Sequence, residues 1–282
     1  MTKYIVITGS TSGIGQELVK VFARDLGNLV FAGYRNKEKL PKNQPVNVIN
    51  FYIDMSDRYS IFKASEFIKT KTKKIDTIIN VAGNVVAGPI EKIDIQRLKD
   101  QFDVNTFSHL ELTQNLIELM NNGKIINVSS MASFGQFPFI SPYCASKRAL
   151  DIFFNALALE NHRNIKVISV KPGVIATPIW EKSVDDNLKY LEKYSGYEKE
   201  LEYLKHNALK NTKTGLKVEK VAEFIQKIEA REYNLSSYTI GKDAFLAELL
   251  SILPQDVINY IVTHFMRKRL QEFYNPEKKQ KK

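Results

Sequence analysis

The chain has 282 residues, 44% of them hydrophobic and 26% charged, with one cysteine and a formal net charge of +10. That composition belongs to a folded globular protein and excludes a fibrous or disordered one, and the lone Cys144 excludes an internal disulfide, in line with a reducing compartment. The positive charge is not a nucleic-acid signature, because Arg267–Lys282 holds seven Lys or Arg against two Glu, half of the excess, and the rest forms no basic stripe. No apolar run approaches the roughly 18–20 residues that cross a bilayer. The start Met1-Thr2-Lys3 runs straight into Tyr4-Ile5-Val6-Ile7, without the succession of a secretory signal, so a cytoplasmic protein is expected. The four histidines, His109, His162, His206 and His264, are too scattered for a metal site, and none is expected.

Strand candidates follow in order at Tyr4–Thr8, Leu29–Gly33, Val46–Ile53, Thr77–Val81, Lys124–Ser129 and Lys166–Val170. Several are apolar nearly throughout, the pattern of strands covered on both faces in a parallel sheet. Helical spacing lies between them, as in Leu18, Val21, Phe22 and Leu26, and again in Ile61, Ala64, Phe67 and Ile68. This alternation predicts a doubly wound α/β fold. After Pro178 the chain turns polar and helix-prone over Glu181–Lys213, then offers a helix at Val218–Glu229, a seventh strand at Tyr238–Ile240, and helices at Asp243–Leu253 and Gln255–Leu270, the last beginning after Pro254. No Pro-, Gly- or Ser-rich linker divides it, so one domain is expected over 1–275, with 276–282 as a solvated basic tail.

The first strand runs into Thr8-Gly9-Ser10-Thr11-Ser12-Gly13-Ile14-Gly15 and then a helix. Glycine serves plain strand-to-helix turns, but it also lets backbone approach a pyrophosphate, and helix N-terminal amides attract anions. The spacing is Gly-x-x-x-Gly-x-Gly. Further along come Asp54 at the end of the third strand, Asn80-Val81-Ala82-Gly83 after the fourth, and Asn105 before the fifth. Ser129-Ser130 ends the fifth strand, Tyr143-Cys144-Ala145-Ser146-Lys147 opens a long helix, and Lys171-Pro172-Gly173-Val174-Ile175-Ala176-Thr177 closes the sixth strand.

Together, over residues 3–180, these resemble the short-chain dehydrogenase/reductase family, with Val81 standing where the family has a second Asn. The resemblance implies a Rossmann-type, mostly parallel seven-stranded sheet with helices on both faces and a C-terminal helical extension. It implies an oxidoreductase moving hydride between NADP(H) or NAD(H) and a carbonyl or alcohol. Ser130, Tyr143, Lys147 and Asn105 are the implied catalytic set. Gly9, Ser10, Ser12, Gly13, Ile14, Gly15, Asp54, Asn80, Ala82, Gly83, Pro172, Gly173, Ile175 and Thr177 are implied to line the cofactor site together with Tyr143 and Lys147, Thr177 at the carboxamide. It also implies a homodimer or homotetramer formed through the helices after the fourth and fifth strands.

Tyr-x-x-x-Lys occurs four times, at Tyr59/Lys63, Tyr143/Lys147, Tyr238/Lys242 and Tyr274/Lys278. Only the second has a Ser thirteen residues upstream at a strand end and opens a long helix, where i and i+4 share a face. A ketone taking up hydride needs a proton on oxygen; tyrosine ionises near 10, and a neighbouring ammonium is expected to draw it toward working pH. Ser130, preferred to Ser129 by its spacing to Tyr143, would hold the carbonyl oxygen, and by resemblance Asn105 would hold a water in a relay to Lys147. The second strand ends in Gly33-Tyr34-Arg35-Asn36-Lys37, without the acid that selects NAD, so Arg35 argues for a 2′-phosphate and NADP(H). The other reading of the cofactor site is a non-catalytic NADP-binding sensor or interaction module, against which the intact Ser130/Tyr143/Lys147 set weighs.

By resemblance, residues 178–213 form a substrate lid, and the length and the 243–270 helices resemble the steroid, retinol and acyl-lipid reductases of the family. Phe134, Phe137, Phe139, Ile140 and Trp180 offer an apolar pocket for a lipophilic substrate. The stripe Val257, Ile258, Ile261, Val262, Phe265 and Met266, beside Arg267-Lys268-Arg269, is open to four readings: cover for the pocket, packing on the body, a subunit contact, or at most peripheral contact with an anionic membrane.

Overall fold

A computed structural model describes residues 2–190 and 194–275. Seven parallel strands form one sheet in the order β3-β2-β1-β4-β5-β6-β7: β1 Lys3–Ile7, β2 Asn28–Tyr34, β3 Val48–Tyr52, β4 Thr77–Asn80, β5 Lys124–Val128, β6 Lys166–Pro172 and β7 Ser237–Ile240. Because successive side chains in a strand point to opposite faces, each apolar strand feeds two cores. Val6, Phe31, Ile78 and Ile125 pack on one side with α2 (Arg58–Lys71), α4 (Ser108–Leu116) and α5 (Ser141–Glu160). Their neighbours Ile5, Ile7, Val30, Ile79 and Ile126 pack on the other with α1 (Gly13–Ala23) and α8 (Val218–Ala230). All seven expected strands are present, and every pairing is parallel.

The strand order reverses between β1 and β4, which opens a crevice at their carboxyl ends, the place where ligands bind in open α/β sheets. α3 (Ile95–Phe102) joins α4 through a π-helical turn at Asp103–Phe107. Beyond β6, α6 (Ile179–Leu188) and α7 (Glu198–Thr214) cover the crevice, and Tyr194 between them is buried with Val86 and Ile93. α9 (Lys242–Leu250) stops three residues before the expected Leu253, and α10 runs from Gln255, after Pro254, to Tyr274, one turn beyond the expected Leu270. The expected tail at 276–282 lies outside the described residues.

Candidate active site

The glycine-rich turn fits a phosphate cradle on steric grounds. Gly9 has φ +66°, a conformation L side chains rarely adopt, and a Cβ there would stand 3.0 Å from the Ala82 backbone. A Cβ on Gly15 would stand 2.1 Å from the Gly9 carbonyl oxygen, so only glycines let the turn close this tightly. Ser12 caps α1 in extended backbone without a side-chain hydrogen bond to it, which leaves the first-turn amides of Gly13, Ile14 and Gly15 without a side-chain cap, the donors a helix N-terminus offers an anion. Ser10 is turned inward: its hydroxyl and its amide both donate to the Gly33 carbonyl, at 2.8 and 3.0 Å, tying the turn to the end of β2. Thr177 lies across from Gly13, whose Cβ would meet its methyl group at 3.3 Å.

The turn after β4 is held from three sides. The Val81 and Ala82 amides donate to Thr8 Oγ1 at 2.9 and 3.2 Å. His109 of α4 faces the Ala82 carbonyl through Nε2 at 2.8 Å, which places its proton on Nε2; burial, with Lys147 nearby, pushes its pKa down to about 3. The Asn80 side chain is buried, its Nδ2 donating to Asn127 Oδ1 at 2.8 Å across the β4–β5 register. Asn105 sits in the π-helical turn, fully buried, accepting from the Asn84 amide at 2.9 Å and donating to the Asn84 carbonyl and Ser146 Oγ, both at 3.0 Å. Gly83 lies between Asn105 and Lys147, its Cβ position 3.2 Å from Asn105 Oδ1 and 3.7 Å from Lys147 Nζ.

Ser130, Tyr143 and Lys147 come together where β5 meets α5. Ser130 caps a short 3₁₀ turn, accepting from the Ala132 amide at 3.1 Å, and lines the same cavity as Tyr143, whereas the Ser129 side chain is buried without a hydrogen-bond partner. Pro142 sits in the first turn of α5, which puts Tyr143 and Lys147 on one face, the ammonium 5.9 Å from the ring centroid. Lys147 is buried and donates to the Val128 carbonyl at 2.9 Å. Burial lowers its pKa to about 8, against the opposing pull of Asp151. The expected lowering of Tyr143 is not what the structure has: burial lifts the phenol to about 12, and the Ser130 hydrogen bond only partly offsets this. Desolvation of the phenolate outweighs a cation that is engaged with a carbonyl elsewhere. Of the other Tyr-x-x-x-Lys pairs, Tyr59 is 65% exposed under the Lys63 ammonium, Tyr238 bonds through its hydroxyl to Asn234, and Lys278 lies outside the described residues.

At the far side of the crevice Arg35 is exposed after β2. Partial burial lowers the pKa of Lys182 on α6, and Arg35 and Lys39 push it the same way against the opposing pull of Asp186 and Asp54, so three cations and two carboxylates lie within electrostatic reach of one another. Asp54 lies just past β3, its Oδ1 accepting from the Ser56 amide and hydroxyl at 2.9 and 2.7 Å. Pro172 ends β6, and Ile175 accepts the Trp180 indole N–H at 2.8 Å. Gly173 is packed so closely that a Cβ would stand 2.0 Å from Asp243 Oδ1, while Asp243 Oδ2 accepts the Val174 amide at 2.7 Å. Asp243, His109 and Asp151 carry no motif and escaped the sequence reading; a lone acid after Gly241 at a strand end was the one available hint.

A cavity of about 770 Å³ runs outward from Ser130 and Tyr143, walled by Val85, Phe137, Ile140, Val174 and Trp180, then by Leu201 and Leu204 of α7, to Phe265 and Arg269 of α10. Of the expected aromatics, Phe134 instead takes the Lys171 ammonium at 4.4 Å from its centroid, and Phe139 packs edge-on to Tyr197. Of the α10 stripe, Phe265 lines the cavity; Ile258, Ile261, Val262 and Met266 are half-buried, and no residue of the helix is fully buried. No cluster of three His, Cys, Asp or Glu able to hold a metal exists among the described residues, and none of their helices is long and apolar enough to cross a membrane.

The short chain dehydrogenase family profile matches residues 3–188. An NADPH-dependent 3-dehydrocapnine reductase of Ornithobacterium rhinotracheale is 29% identical, covering 96% of this chain and 99% of its own. A 3-ketodihydrosphingosine reductase of Bacteroides thetaiotaomicron is 27% identical over 93% and 97%. Among solved structures, a short chain dehydrogenase/reductase from Burkholderia phymatum in complex with NAD has the same fold at 19% identity, TM-score 0.75, over 87% of this chain and 91% of that one.

Proposed function

The chain belongs to the short-chain dehydrogenase family of nicotinamide-dependent oxidoreductases, and from that premise we propose that it is an NADP(H)-dependent reductase of a ketone on a lipophilic substrate. The observation that carries the reading is the convergence of Ser130 and Tyr143, with Lys147 behind them, at the inner end of an apolar cavity of about 770 Å³. When bound, a reduced nicotinamide supplies the hydride to the carbonyl carbon. Ser130 donates a hydrogen bond to the carbonyl oxygen and holds it against Tyr143. A phenol with its pKa near 12 keeps its proton at neutral pH, so Tyr143 is loaded as the acid and gives that proton to the oxygen as negative charge develops there. The Lys147 ammonium, one helical turn away, stabilises the phenolate left behind, and Asn105 orders the path by which the proton is replaced.

The turn amides of Gly13, Ile14 and Gly15 would hold the pyrophosphate, Thr177 and the Ile175 backbone the nicotinamide end, and Asp54, with the Ala82–Gly83 backbone, the adenosine side. Arg35, exposed after β2 in a 33–37 window that holds no acid, supports a 2′-phosphate and hence NADP(H); the first relative is NADPH-dependent by name, while the solved structure holds NAD. Both relatives act by name on a 3-dehydro or 3-keto compound, and the cavity's apolar walls favour a ketone with a long apolar body. Subunits are expected to pair through α4 and α5, where Phe107, at the end of the turn before α4, and Ile152 and Phe153 of α5 are 45%, 55% and 41% exposed.

The test is a panel of aldehydes, ketosteroids, retinal and acyl-chain 3-ketones, followed by loss of NADPH absorbance, with wild type and Tyr143→Phe. Acyl-chain ketones should turn over best, with NADPH preferred to NADH. Tyr143→Phe should bind NADPH as before and lose on the order of 10²–10⁴ in rate, the range of general acid catalysis. Near-normal turnover by Tyr143→Phe, or no ketone reduced at all, overturns the reading.

A further inference from the structure

Three carboxamides line the cavity, Asn187 on α6 and Asn207 and Asn211 on α7. Asn187 is committed to the protein: its Oδ1 accepts from the Ala87 amide and from Arg97, and its Nδ2 donates to the Ser183 carbonyl. Asn207 and Asn211 are half-buried, and among the described residues neither side chain has a hydrogen-bond partner. They stand four residues apart, so they share one face of the helix and lie close enough to hold a single group between them.

Helix preference does not account for them, because asparagine is a poor helix former. Packing does not either, since Leu201, Leu204 and Ala208 of the same helix present apolar groups to the same cavity. The C-terminal end of α7 is fastened to the segment after β6. The Leu216 amide donates to the Val174 carbonyl at 2.8 Å and the Ala176 amide to the Leu216 carbonyl at 3.0 Å. A Cβ on Gly215 would stand 2.5 Å from the Ala176 nitrogen and 2.9 Å from the Asn211 carbonyl oxygen. Val174 lines the cavity with Ser130 and Tyr143. The wall formed by α7 therefore turns from apolar to hydrogen-bonding where the helix meets the segment that carries Ile175 and leads to Thr177. A few polar groups placed in an apolar pocket fix the orientation of what binds there.

We propose that Asn207 and Asn211 form a hydrogen-bonding subsite for a substituent on the carbon beside the ketone, a hydroxyl or an amide, and so select ketones that carry one. A carboxamide offers two donors and an acceptor, so the pair matches a group that itself both donates and accepts. The apolar body of the substrate then lies along Leu204 and Leu201 toward Phe265. Placing the substituent beside the carbonyl rests on the proposed function, in which the ketone is held at Ser130 and Tyr143; recognition of the group by the pair stands without it.

Trp180 is the one tryptophan of the chain and lines the cavity, so its fluorescence reads binding apart from turnover. The full chain with NADP+ is titrated with an acyl-chain ketone bearing a hydroxyl on the adjacent carbon, with its acetamido analogue, and with a methyl analogue of the hydroxy ketone's shape. Loss of NADPH absorbance gives kcat/KM for each. The hydroxy ketone, the acetamido ketone or both should bind on the order of tenfold more tightly than the methyl ketone, with the same preference in kcat/KM, as two hydrogen bonds at a half-buried site would give. Asn207→Ala/Asn211→Ala, which favours the helix, should abolish that preference. A ratio taken within one variant is not moved by a general loss of stability or activity. A methyl ketone bound by wild type as tightly as both others, or a variant that keeps the preference, overturns the proposal. Selective binding with no ketone reduced would remove the proposed function and leave the subsite standing; reduction without selectivity would remove the subsite and leave the function.

Discussion

Lys147 and Tyr143 lie on one face of α5 with the ammonium 5.9 Å from the ring centroid, and burial displaces the two in opposite directions, the lysine down to about 8 and the phenol up to about 12. Burial thus disfavours the charged form of each relative to water, while at pH 7 the phenol keeps its proton and the lysine is still mostly the cation. The pair is loaded to donate a proton, and the buried cation carries a cost in stability.

That cost has a pH signature. A lysine that ionises at about 8 in the folded chain and at 10.5 when unfolded holds fewer protons folded than unfolded between those values, so stability rises with pH across that window, and the penalty is full below 8. It amounts to roughly 3 kcal/mol at pH 7, while the lost bond to the Val128 carbonyl gives back about 1 kcal/mol. Lys147→Met is therefore expected to be about 2 kcal/mol more stable than wild type in urea at pH 7, with little advantage left at pH 10, and to lose turnover. A variant less stable than wild type at pH 7 would show that the ammonium is fully compensated where it lies.

His109 acts with the same sign in a more acidic window. Its pKa falls from 6.5 to about 3, so the folded chain refuses a proton that the unfolded chain accepts, and stability is lost as pH drops from 6.5 toward 3. Between pH 7 and pH 5 this group alone costs about 2 kcal/mol. His109→Gln keeps a donor for the Ala82 carbonyl without the titration, and its loss of unfolding free energy over that interval should be smaller than wild type's by that amount.

The alternation of strands with helices and the Ser130, Tyr143 and Lys147 set were legible because both depend on short-range pattern: short, nearly continuous apolar runs for strands covered on both faces, i and i+4 along a helix. What was not legible depends on burial or on residues far apart. The direction of the Tyr143 shift is set by the cavity that encloses the ring and not by its neighbour in sequence. Asn80 has the family's position, but its side chain is decided by Asn127, its partner across the β4–β5 register. Asp243 reaches the Val174 amide from 69 residues away, and nothing local to either announces it.

The wall of the cavity offers a third test. Arg97 of α3 donates to Tyr194 Oη at 2.7 Å and to Asn187 Oδ1 at 2.6 Å, and its guanidinium stacks 3.7 Å from the Tyr190 centroid. Asn187 and Tyr194 both line the cavity, so one side chain ties α6 and Tyr194 to α3 at its wall. Charge-assisted bonds of this kind contribute about 1.5–3 kcal/mol each when both partners are ordered, less at this half-buried site. Arg97→Ala should raise KM for the ketone roughly 5- to 10-fold, about 1–1.4 kcal/mol, and leave Kd for NADPH within about twofold, because none of the cradle residues touches Arg97. An equal loss in both constants would mean that the variant disturbs the whole crevice.

Behind the active site, Asp151 of α5 and Lys171 of β6 form a buried ion pair at 3.4 Å, with neither Asp151 oxygen hydrogen-bonded and Lys171 over the Phe134 ring. At that distance, without further donors, the attraction recovers little of the desolvation of two charges. Removing one partner strands the other in a low dielectric, so Asp151→Leu should cost about 3–5 kcal/mol. Asp151→Leu/Lys171→Met, which removes both charges, should recover most of that loss. Equilibrium unfolding of the two variants decides it: a double variant no more stable than the single one would mean that the pair holds α5 against β6 by its charges. The same carboxylate supports the Lys147 ammonium from one turn away, so even the stable double variant should titrate Lys147 at lower pH, moving the alkaline limb of its rate profile downward.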